Sequence, residues 1–318
     1  MKQRQRYALL TVDTEALPKR ASGDHVNRLV WGRHDKGSAG IREIRSIGDE
    51  FNAKHVFFVD MCGAYRHSDE IGEVVRWLDD DGQDVQLHAH PEVLPEEFWT
   101  DNGLAPRPAL MDKYSEDARA ELVIRHFGRS LSDITRKKVL AFRAGSFRWN
   151  ASTIRALKKV GIPLSFNNSM RAFSAGQCVF SEPTNLPYAW SNGVVEVPVT
   201  ERKVSGPPGG KEFWASLTYP ESPYFRFGED RPSLLSKLLG RTPNFLVFLL
   251  HSWSFLYWDE HGHATYRDDQ RLEGYRKLLA QVTKDYDVIT TTDFMDLHAR
   301  GKIRTSHMVN LEQAELRG

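Results

Sequence analysis

His88 and His90 are spaced so that one metal ion could bind both side chains. They end the stretch 84–90, which is stopped by Pro91. In an extended strand alternate side chains share a face, so both imidazoles are predicted to project together from the end of a strand. A catalytic zinc ion takes about three protein ligands and keeps an open position for water. The pair therefore predicts part of a metal site and requires ligands from elsewhere in the chain.

Two carboxylates, Asp13 and Glu15, follow the same spacing at the end of the short apolar run 7–12. Carboxylate oxygens together with imidazole nitrogens suit zinc or a similar divalent ion. Only one carboxylate is needed as a ligand, which leaves the other to act as a base. In the competing interpretation Asp13 caps the following loop and the two histidines are solvated.

Arg143 and His251 also follow apolar runs, 139–142 and 245–250. A guanidinium can hold a carboxylate base in place through a bidentate pair, and this is the role predicted for Arg143. A histidine can donate a proton to a leaving amine, and this is the role predicted for His251. The alternatives are an ordinary structural ion pair and a core histidine that is bonded to the backbone.

The elements that must position these residues alternate between strands and helices. Seven or eight short strands are predicted, and amphipathic helices separate them, for example around Ile71, Val74, Val75 and Leu78. Such alternation favours parallel βα units. Polar residues end one strand after another, as in a (β/α) barrel, whereas a doubly wound sheet concentrates its site at one switch point. These strand-end residues are Asp13, Asp60, His88, Arg143 and His251.

The predicted fold is therefore a distorted (β/α)7–8 TIM-like barrel formed by one domain over residues 1–318. Long loops at 14–39, 91–114 and 201–243 are predicted to cover the active-site face. Ser115 is the predicted N-cap of a helix that runs to about 135, and Asn150 of a shorter helix that Gly161 closes.

Composition excludes several classes of function. The 318 residues contain 43 Lys and Arg against 42 Asp and Glu, a net charge of +1, so no nucleic-acid partner or charged membrane surface is predicted. Two cysteines, Cys62 and Cys178, are too few for a disulfide framework. No apolar run is long enough to insert in a membrane and no secretory signal is visible, so a cytoplasmic protein is predicted. The sequence does not predict the oligomeric state.

Taken together, the motifs resemble those of the polysaccharide deacetylase family, the NodB-homology group of carbohydrate esterase family 4. The resemblance covers roughly residues 6–300, and the order of the motifs makes it more specific than any one of them. The matching motifs are Thr11-Val-Asp13, Val56-Phe-Phe-Val59, Leu87-His-Ala-His-Pro91, Phe142-Arg-Ala-Gly145 with Asn150, Glu196-Val-Pro198 and Leu249-Leu-His251.

The resemblance implies a divalent metal ion, with zinc as the first candidate, that activates water against an acyl carbonyl. It also implies that Asp13 is the base, Arg143 its tether and His251 the acid. Two departures matter: Thr14 stands where the family has a second, metal-binding aspartate, and the histidines are two apart instead of four. Glu15 is the predicted substitute ligand beside His88 and His90, and the choice between Asp13 and Glu15 stays open.

The predicted function is metal-dependent hydrolysis that removes an N-acyl group, acetyl or formyl, from a carbohydrate or a sugar-containing metabolite. A small or saccharide substrate of the cytoplasm fits better than a cell-wall polymer. Two alternatives are a barrel that binds carbohydrate without turnover and a metal-free amidase that acts on a small amide. The sequence identifies neither the sugar nor the acyl group.

Overall fold

The parallel sheet is arranged around β1 (Tyr7–Thr14), whose eight residues are all buried. The computed structural model describes residues 6–205, 210–220, 244–268 and 270–316. A strand that is covered on both faces is expected to be apolar over most of its length, as the run Tyr7 to Val12 is. Strand β1 pairs in parallel with strands on both sides, so it occupies the middle of the sheet.

The strands follow the order β12-β1-β4-β5-β6-β7-β9-β8-β16, and β15 pairs with β1. All pairings from β12 to β9 are parallel, whereas β8 runs antiparallel to β9. The remaining strands are β2 (Arg33–His34), β3 (Gly37–Ser38), β4 (Val56–Asp60), β5 (Asp84–Ala89), β6 (Ala141–Ala144), β7 (Leu164–Ser165), β8 (Tyr188–Trp190), β9 (Val195–Glu196), β10 (Glu201–Val204), β11 (Phe213–Ser216), β12 (Phe245–His251), β13 (Tyr257–Trp258), β14 (Ala264–Thr265), β15 (Asp287–Val288) and β16 (Met308–Val309).

The sheet curls into an incomplete barrel, which confirms the predicted distorted (β/α) barrel. Among the strands that the structure describes, seven form its parallel run, β12, β1, β4, β5, β6, β7 and β9. Within the described residues β9 and β12 are linked by irregular backbone instead of a strand pair. Thr200 N donates to Val247 O at 3.2 Å, and Leu249 N donates to Leu217 O at 2.9 Å. The barrel is therefore distorted where β9 and β12, the two ends of the parallel run, face each other.

Alternation along each strand separates two cores. One apolar cluster contains Leu9, Val56, Phe58 and Val247, and a larger cluster contains their sequence neighbours. On β1 the odd-numbered residues therefore share the inner face, apolar at Tyr7 and Leu9 and polar at Thr11 and Asp13. The polar end of this inner face is where the predicted site residues lie.

The helices cover the outside of the sheet. They are α1 (Ile41–Glu50), α2 (Ser68–Asp80), α3 (Glu96–Asp101), α4 (Asp117–Thr135), α5 (Ala151–Val160), α6 (Met170–Ser174), α7 (Arg271–Asp285) and α8 (Thr291–Ala299). On α2 the predicted apolar face, Ile71, Val74, Val75 and Leu78, is buried. Asn150 caps α5 through its side chain, and Gly161 ends it with a positive φ of 89°, both as predicted.

Helix α4 begins later than predicted. Its N-cap is Glu116, and Ser115 lies one position too early to cap the first helical residue, Asp117. Ser115 contributes its backbone oxygen instead, which accepts a hydrogen bond from the Ser152 hydroxyl.

The segments predicted as long loops contain short elements. Residues 14–39 include a π-helical turn, Val26–Val30, and the β2–β3 hairpin, and Trp31 is buried among them. Residues 91–114 include α3, which buries Phe98 and Trp99. Pro95 obscures this helix in the sequence, although a proline is compatible with a helix start. In 201–243, β10 pairs with β11, and residues 206–209 and 221–243 lie outside the described residues.

In the described ranges, no helix has both the length and the apolar character needed to cross a membrane.

Candidate active site

The polar strand ends converge because neighbouring parallel strands end at one edge of the sheet. Asp13 on β1 lies opposite His251 on β12. His88 on β5 lies between Asp60 on β4 and Arg143 on β6. Four consecutive pairings therefore bring side chains that are far apart in the chain to the same mouth of the barrel.

Glu15 lies against both histidines. Its Oε1 is 2.8 Å from Nε2 of His88 and 3.1 Å from Nε2 of His90. These three residues are 4%, 0% and 3% exposed, and their candidate ligand atoms all lie within 4.8 Å of one another. Of the two carboxylates that the sequence leaves open, Glu15 is the one in contact with the histidine pair.

A second set overlaps with the first. Asp13, Glu15 and His251 also offer ligand atoms that lie within 4.8 Å of one another. Glu15 thus stands between the histidine pair and the Asp13–His251 side of the mouth. The hydroxyl of Thr14, which lies between Asp13 and Glu15, donates to the backbone oxygen of Val12 at 3.4 Å.

The remote nitrogens of both histidines are held by acceptors. Nδ1 of His88 donates to the backbone oxygen of Arg143 at 2.9 Å, and Nδ1 of His90 donates to Glu92 Oε1 at 2.7 Å. A neutral imidazole has one donor and one acceptor nitrogen, so each Nε2 is then an acceptor. Two lone pairs and a carboxylate that converge in a buried space require a cation. Metal-ligating histidines are held in this way, and the donor set therefore fits a divalent ion.

A proton on one of the imidazoles can also supply the positive charge that the cluster requires. Burial raises the pKa of the Glu15 carboxyl, but the charges and hydrogen bonds of His90 and His88 outweigh it and leave the pKa well below its usual range. Burial lowers the pKa of His90, but the charge of Glu15 and the hydrogen bonds to Glu15 and Glu92 raise it well above its usual range. The opposite charges of Glu15 and a protonated His90 thus favour each other in this buried space, and a proton on Nε2 of His90 would have to leave before a metal ion could bind there.

Arg143 connects β6 to β1 across the barrel. Its Nη1 donates to Asp13 Oδ1 at 2.5 Å, and its Nη2 donates to the Thr11 hydroxyl at 3.0 Å. The predicted bidentate pair is therefore wrong in detail, because the second nitrogen is engaged by Thr11 on the same inner face. The guanidinium is 1% exposed and lies 4.4 Å from the ring centroid of Phe58.

His251 is half-buried at the mouth and stacks on Trp253, with ring centroids 5.1 Å apart and planes 18° apart. Burial lowers the pKa of His251, against the opposing charges of Glu15 and Asp13. The exposed Arg20 lies over the same indole, 5.5 Å from its centroid. The histidine ring is thus packed against the indole and, with its pKa below 6.5, is uncharged at neutral pH.

The turn after β6 fits closely around His90. A Cβ on Gly145 would lie 2.6 Å from ring atoms of His90, so only glycine allows this approach. The next two residues, Ser146 and Phe147, have positive φ values of 54° and 52°. Such strain in residues other than glycine is frequently found at functional sites.

A cleft of about 510 Å³ opens beside the cluster. Its lining includes Asp60 and Glu92, apolar side chains such as Leu17 and Leu94, and charged side chains such as Arg66. Asp60 Oδ1 accepts hydrogen bonds from the backbone nitrogens of Cys62 and His90, each at 3.1 Å. Burial raises the pKa of Asp60.

The six residues predicted for the site all lie at this mouth, and their roles stay predictions. Two residues were given no role from sequence. Asp60 ends a strand, and Glu92 repeats the i, i+2 spacing after His90, which is the signal that could have identified it.

Comparisons with known proteins bear on the fold. No family model and no curated protein matches the sequence. Among solved structures, an allantoinase is similar with a TM-score of 0.55 and 14% identity over 96% of this chain and 94% of its own. A Mycobacterium smegmatis protein assigned to the polysaccharide deacetylases has a TM-score of 0.53 and 15% identity over 96% and 93%.

A 4-alpha-glucanotransferase from Thermococcus litoralis has a TM-score of 0.55 and 12% identity, over 96% of this chain and 42% of its own. At such identities the likeness establishes the fold alone. The predicted resemblance to polysaccharide deacetylases is confirmed at that level.

Proposed function

We propose that this protein is a metal-dependent hydrolase that removes an N-acyl group from a carbohydrate or a small sugar-containing metabolite. The observation that carries the proposal is the buried set Glu15, His88 and His90, placed beside the Arg143–Asp13 pair and His251. The likeness in fold to an allantoinase and to a protein assigned to the polysaccharide deacetylases supports a hydrolase of this class.

Glu15, His88 and His90 would hold the ion. When bound, a divalent ion such as zinc lowers the pKa of water and stabilises negative charge that develops on a carbonyl oxygen. The cleft lined by Asp60, Glu92 and Leu94 would receive the substrate, with its apolar lining residues available to the acyl group.

Asp13 would take a proton from the attacking water as the water oxygen bonds to the acyl carbon. Arg143 engages Oδ1, and this contact directs the carboxylate into the mouth. His251 would deliver a proton to the amine nitrogen as the C–N bond breaks. Because burial keeps this imidazole neutral, it must take up a proton before it can donate one.

The test combines metal analysis with turnover of a substrate panel. We expect the purified protein to contain a divalent metal at about one ion per chain and to release acetate or formate from N-acyl amino sugars. Chelation should stop turnover, and added zinc should restore it. Asp13→Asn should keep the metal and lose about 10²–10⁴-fold in kcat. Asp80→Asn, on the exposed end of α2, is the matched control.

Metal-free protein that still turns over after chelation would contradict the metal dependence. That result would favour a second candidate, a metal-free amidase on a small amide. The observation in its favour is that Glu15 already lies at hydrogen-bonding distance from both histidines, so protons alone can satisfy the cluster. Absence of turnover and of metal together would remove both hydrolase functions. The cytoplasmic location, and with it a small substrate, stays a prediction.

A further inference from the structure

The two histidines of the cluster are anchored by acceptors of different charge. His88 donates its Nδ1 proton to a neutral backbone carbonyl, whereas His90 donates to the carboxylate of Glu92. A carboxylate acceptor makes the opposite nitrogen of the ring more basic and fixes the ring plane. From this geometry we infer that Glu92 is a positioning residue that sets the metal affinity of the site through His90; the inference rests on the proposed function.

The backbone places Glu92 for this contact. Strand β5 ends at Ala89, and Pro91 begins a tight turn, Pro91–Val93, in which Val93 N donates to the backbone oxygen of His90 at 3.1 Å. This turn returns the side chain at 92 over the ring that precedes it by two positions. The contact is thus local, and no other strand is needed to form it.

The other sides of the His90 ring are also constrained. Gly145 approaches the ring so closely that any Cβ there would lie 2.6 Å from it. Glu15 meets Nε2 at 3.1 Å. With Glu92 at Nδ1, the ring is held from three directions and presents Nε2 towards the cluster.

The inward orientation of the Glu92 side chain leaves one of its carboxylate oxygens unsatisfied within the described part of the chain, which an outward, solvated orientation would avoid. Its side chain is 32% exposed, yet Oε2 is buried and has no hydrogen-bond partner among the described residues. A buried carboxylate oxygen without a partner is unfavourable, because it has given up water without gaining a hydrogen bond. A merely solvated glutamate on this loop would turn outward. The inward orientation is explained by the charge-assisted bond to His90, at 2.7 Å.

The test compares zinc affinity in the full chain with Glu92 changed in two ways. Glu92→Gln keeps an oxygen that can accept from Nδ1 but removes the charge, and Glu92→Ala removes both. We expect zinc to bind about 10–100-fold more weakly to each variant, measured by competition with a coloured chelator. Glu73→Gln, the same change on the exposed face of α2, should leave the affinity unchanged.

A second measurement does not depend on metal. In the wild type the Nδ1 proton of His90 should give a strongly downfield imidazole NMR signal, because it is hydrogen-bonded to a buried carboxylate. The signal should be absent in Glu92→Ala and shifted upfield in Glu92→Gln. Unfolding temperatures of the chelated variants should stay near that of the wild type, so the affinity loss would not reflect misfolding.

The outcomes separate this inference from the proposed function. Wild-type protein that binds no divalent ion would refute the metal-dependent hydrolase and the role of Glu92 together. Wild-type protein that binds zinc while Glu92→Gln and Glu92→Ala bind it equally well would refute the role of Glu92 alone.

Discussion

One or two direct contacts decide how readily each side chain of the cluster holds a proton. His90 meets carboxylates at both nitrogens, Glu92 at Nδ1 and Glu15 at Nε2, and its pKa is raised for that reason. Only the neutral form of a histidine binds a metal ion. The proton on Nε2 of His90 therefore competes with zinc for the same lone pair.

This competition predicts the pH dependence of metal binding. Because the pKa of His90 is raised well above its usual range, the ring keeps its second proton to a higher pH than a free imidazole does, and zinc must release that proton to bind. We expect the apparent zinc affinity to rise about tenfold per pH unit near neutrality. Calorimetry in buffers of different ionisation enthalpy should register about one proton released per zinc ion bound. Affinity that is constant between pH 6 and 8 would contradict the raised pKa.

The close approach of Gly145 to the His90 ring predicts that a larger residue at position 145 will disturb the site. In Gly145→Ala the new methyl group would begin 2.6 Å from the His90 ring, so the ring or the turn must move. We expect a loss of about 1–3 kcal/mol in the free energy of unfolding together with weaker zinc binding, measured by urea unfolding and chelator competition. In the control, Gly128→Ala on α4, the nearest atom would be 3.8 Å away. That variant should be as stable as the wild type or more so.

At the scale of elements, β1 and β6 are joined through a buried cation. Arg143 on β6 contacts Asp13 and Thr11 on β1, and the Thr11 hydroxyl in turn donates to the Phe248 backbone oxygen on β12 at 2.5 Å. Three strands are therefore linked by one chain of polar contacts inside the barrel. Such a chain is favourable only while every member keeps its partner.

Breaking this link from one end should be more costly than removing both ends. Arg143→Met leaves the Asp13 carboxylate buried without its cation, which should lower the free energy of unfolding by about 3–5 kcal/mol. Combining it with Asp13→Asn should recover part of that loss, with a coupling energy of about 0.5–3 kcal/mol. Urea unfolding of the four proteins of the cycle measures it. Strictly additive effects would indicate that the pair contributes no coupling.

At the scale of the whole molecule, the curled sheet carries the site at one end and its apolar core at the other. Leu9, Phe58 and Val247 fill the interior below the polar residues. Since the candidate ligands lie at or just beyond the ends of β1 and β5, an ion bound to them would tie separate parts of the barrel together. An ion that binds only the folded chain stabilises it by mass action.

Zinc should therefore raise the unfolding temperature. At a free concentration of 100 times its Kd it stabilises the fold by about 2.7 kcal/mol, which corresponds to a shift of several degrees. Thermal unfolding followed by circular dichroism, with zinc or with a chelator, measures the shift. His88→Gln, which removes one ligand, should abolish most of it, whereas an unchanged shift in that variant would place the ion elsewhere.

The sequence by itself determined the features that depend only on residues near one another in the chain. Side chains two apart on a strand share a face, so the pairs Asp13–Glu15 and His88–His90 were predicted to point together before any strand was placed. The alternation of strands and helices likewise predicted the barrel, and the polar strand ends predicted which end of it would bear the candidate site. The cap at Asn150 and the apolar face of α2 were predicted for the same reason, since each depends on neighbours within one turn or two.

Contacts between strands were decided only by the tertiary structure. Whether Asp13 or Glu15 meets the histidines depends on how the residues after β1 curve over the barrel mouth, and no local pattern encodes that path. The same holds for the single contact from Arg143 to Asp13, since Thr11 is its second acceptor only once β1 and β6 face each other. Distances across a sheet depend on register and curvature, which arise from the packing of the whole chain.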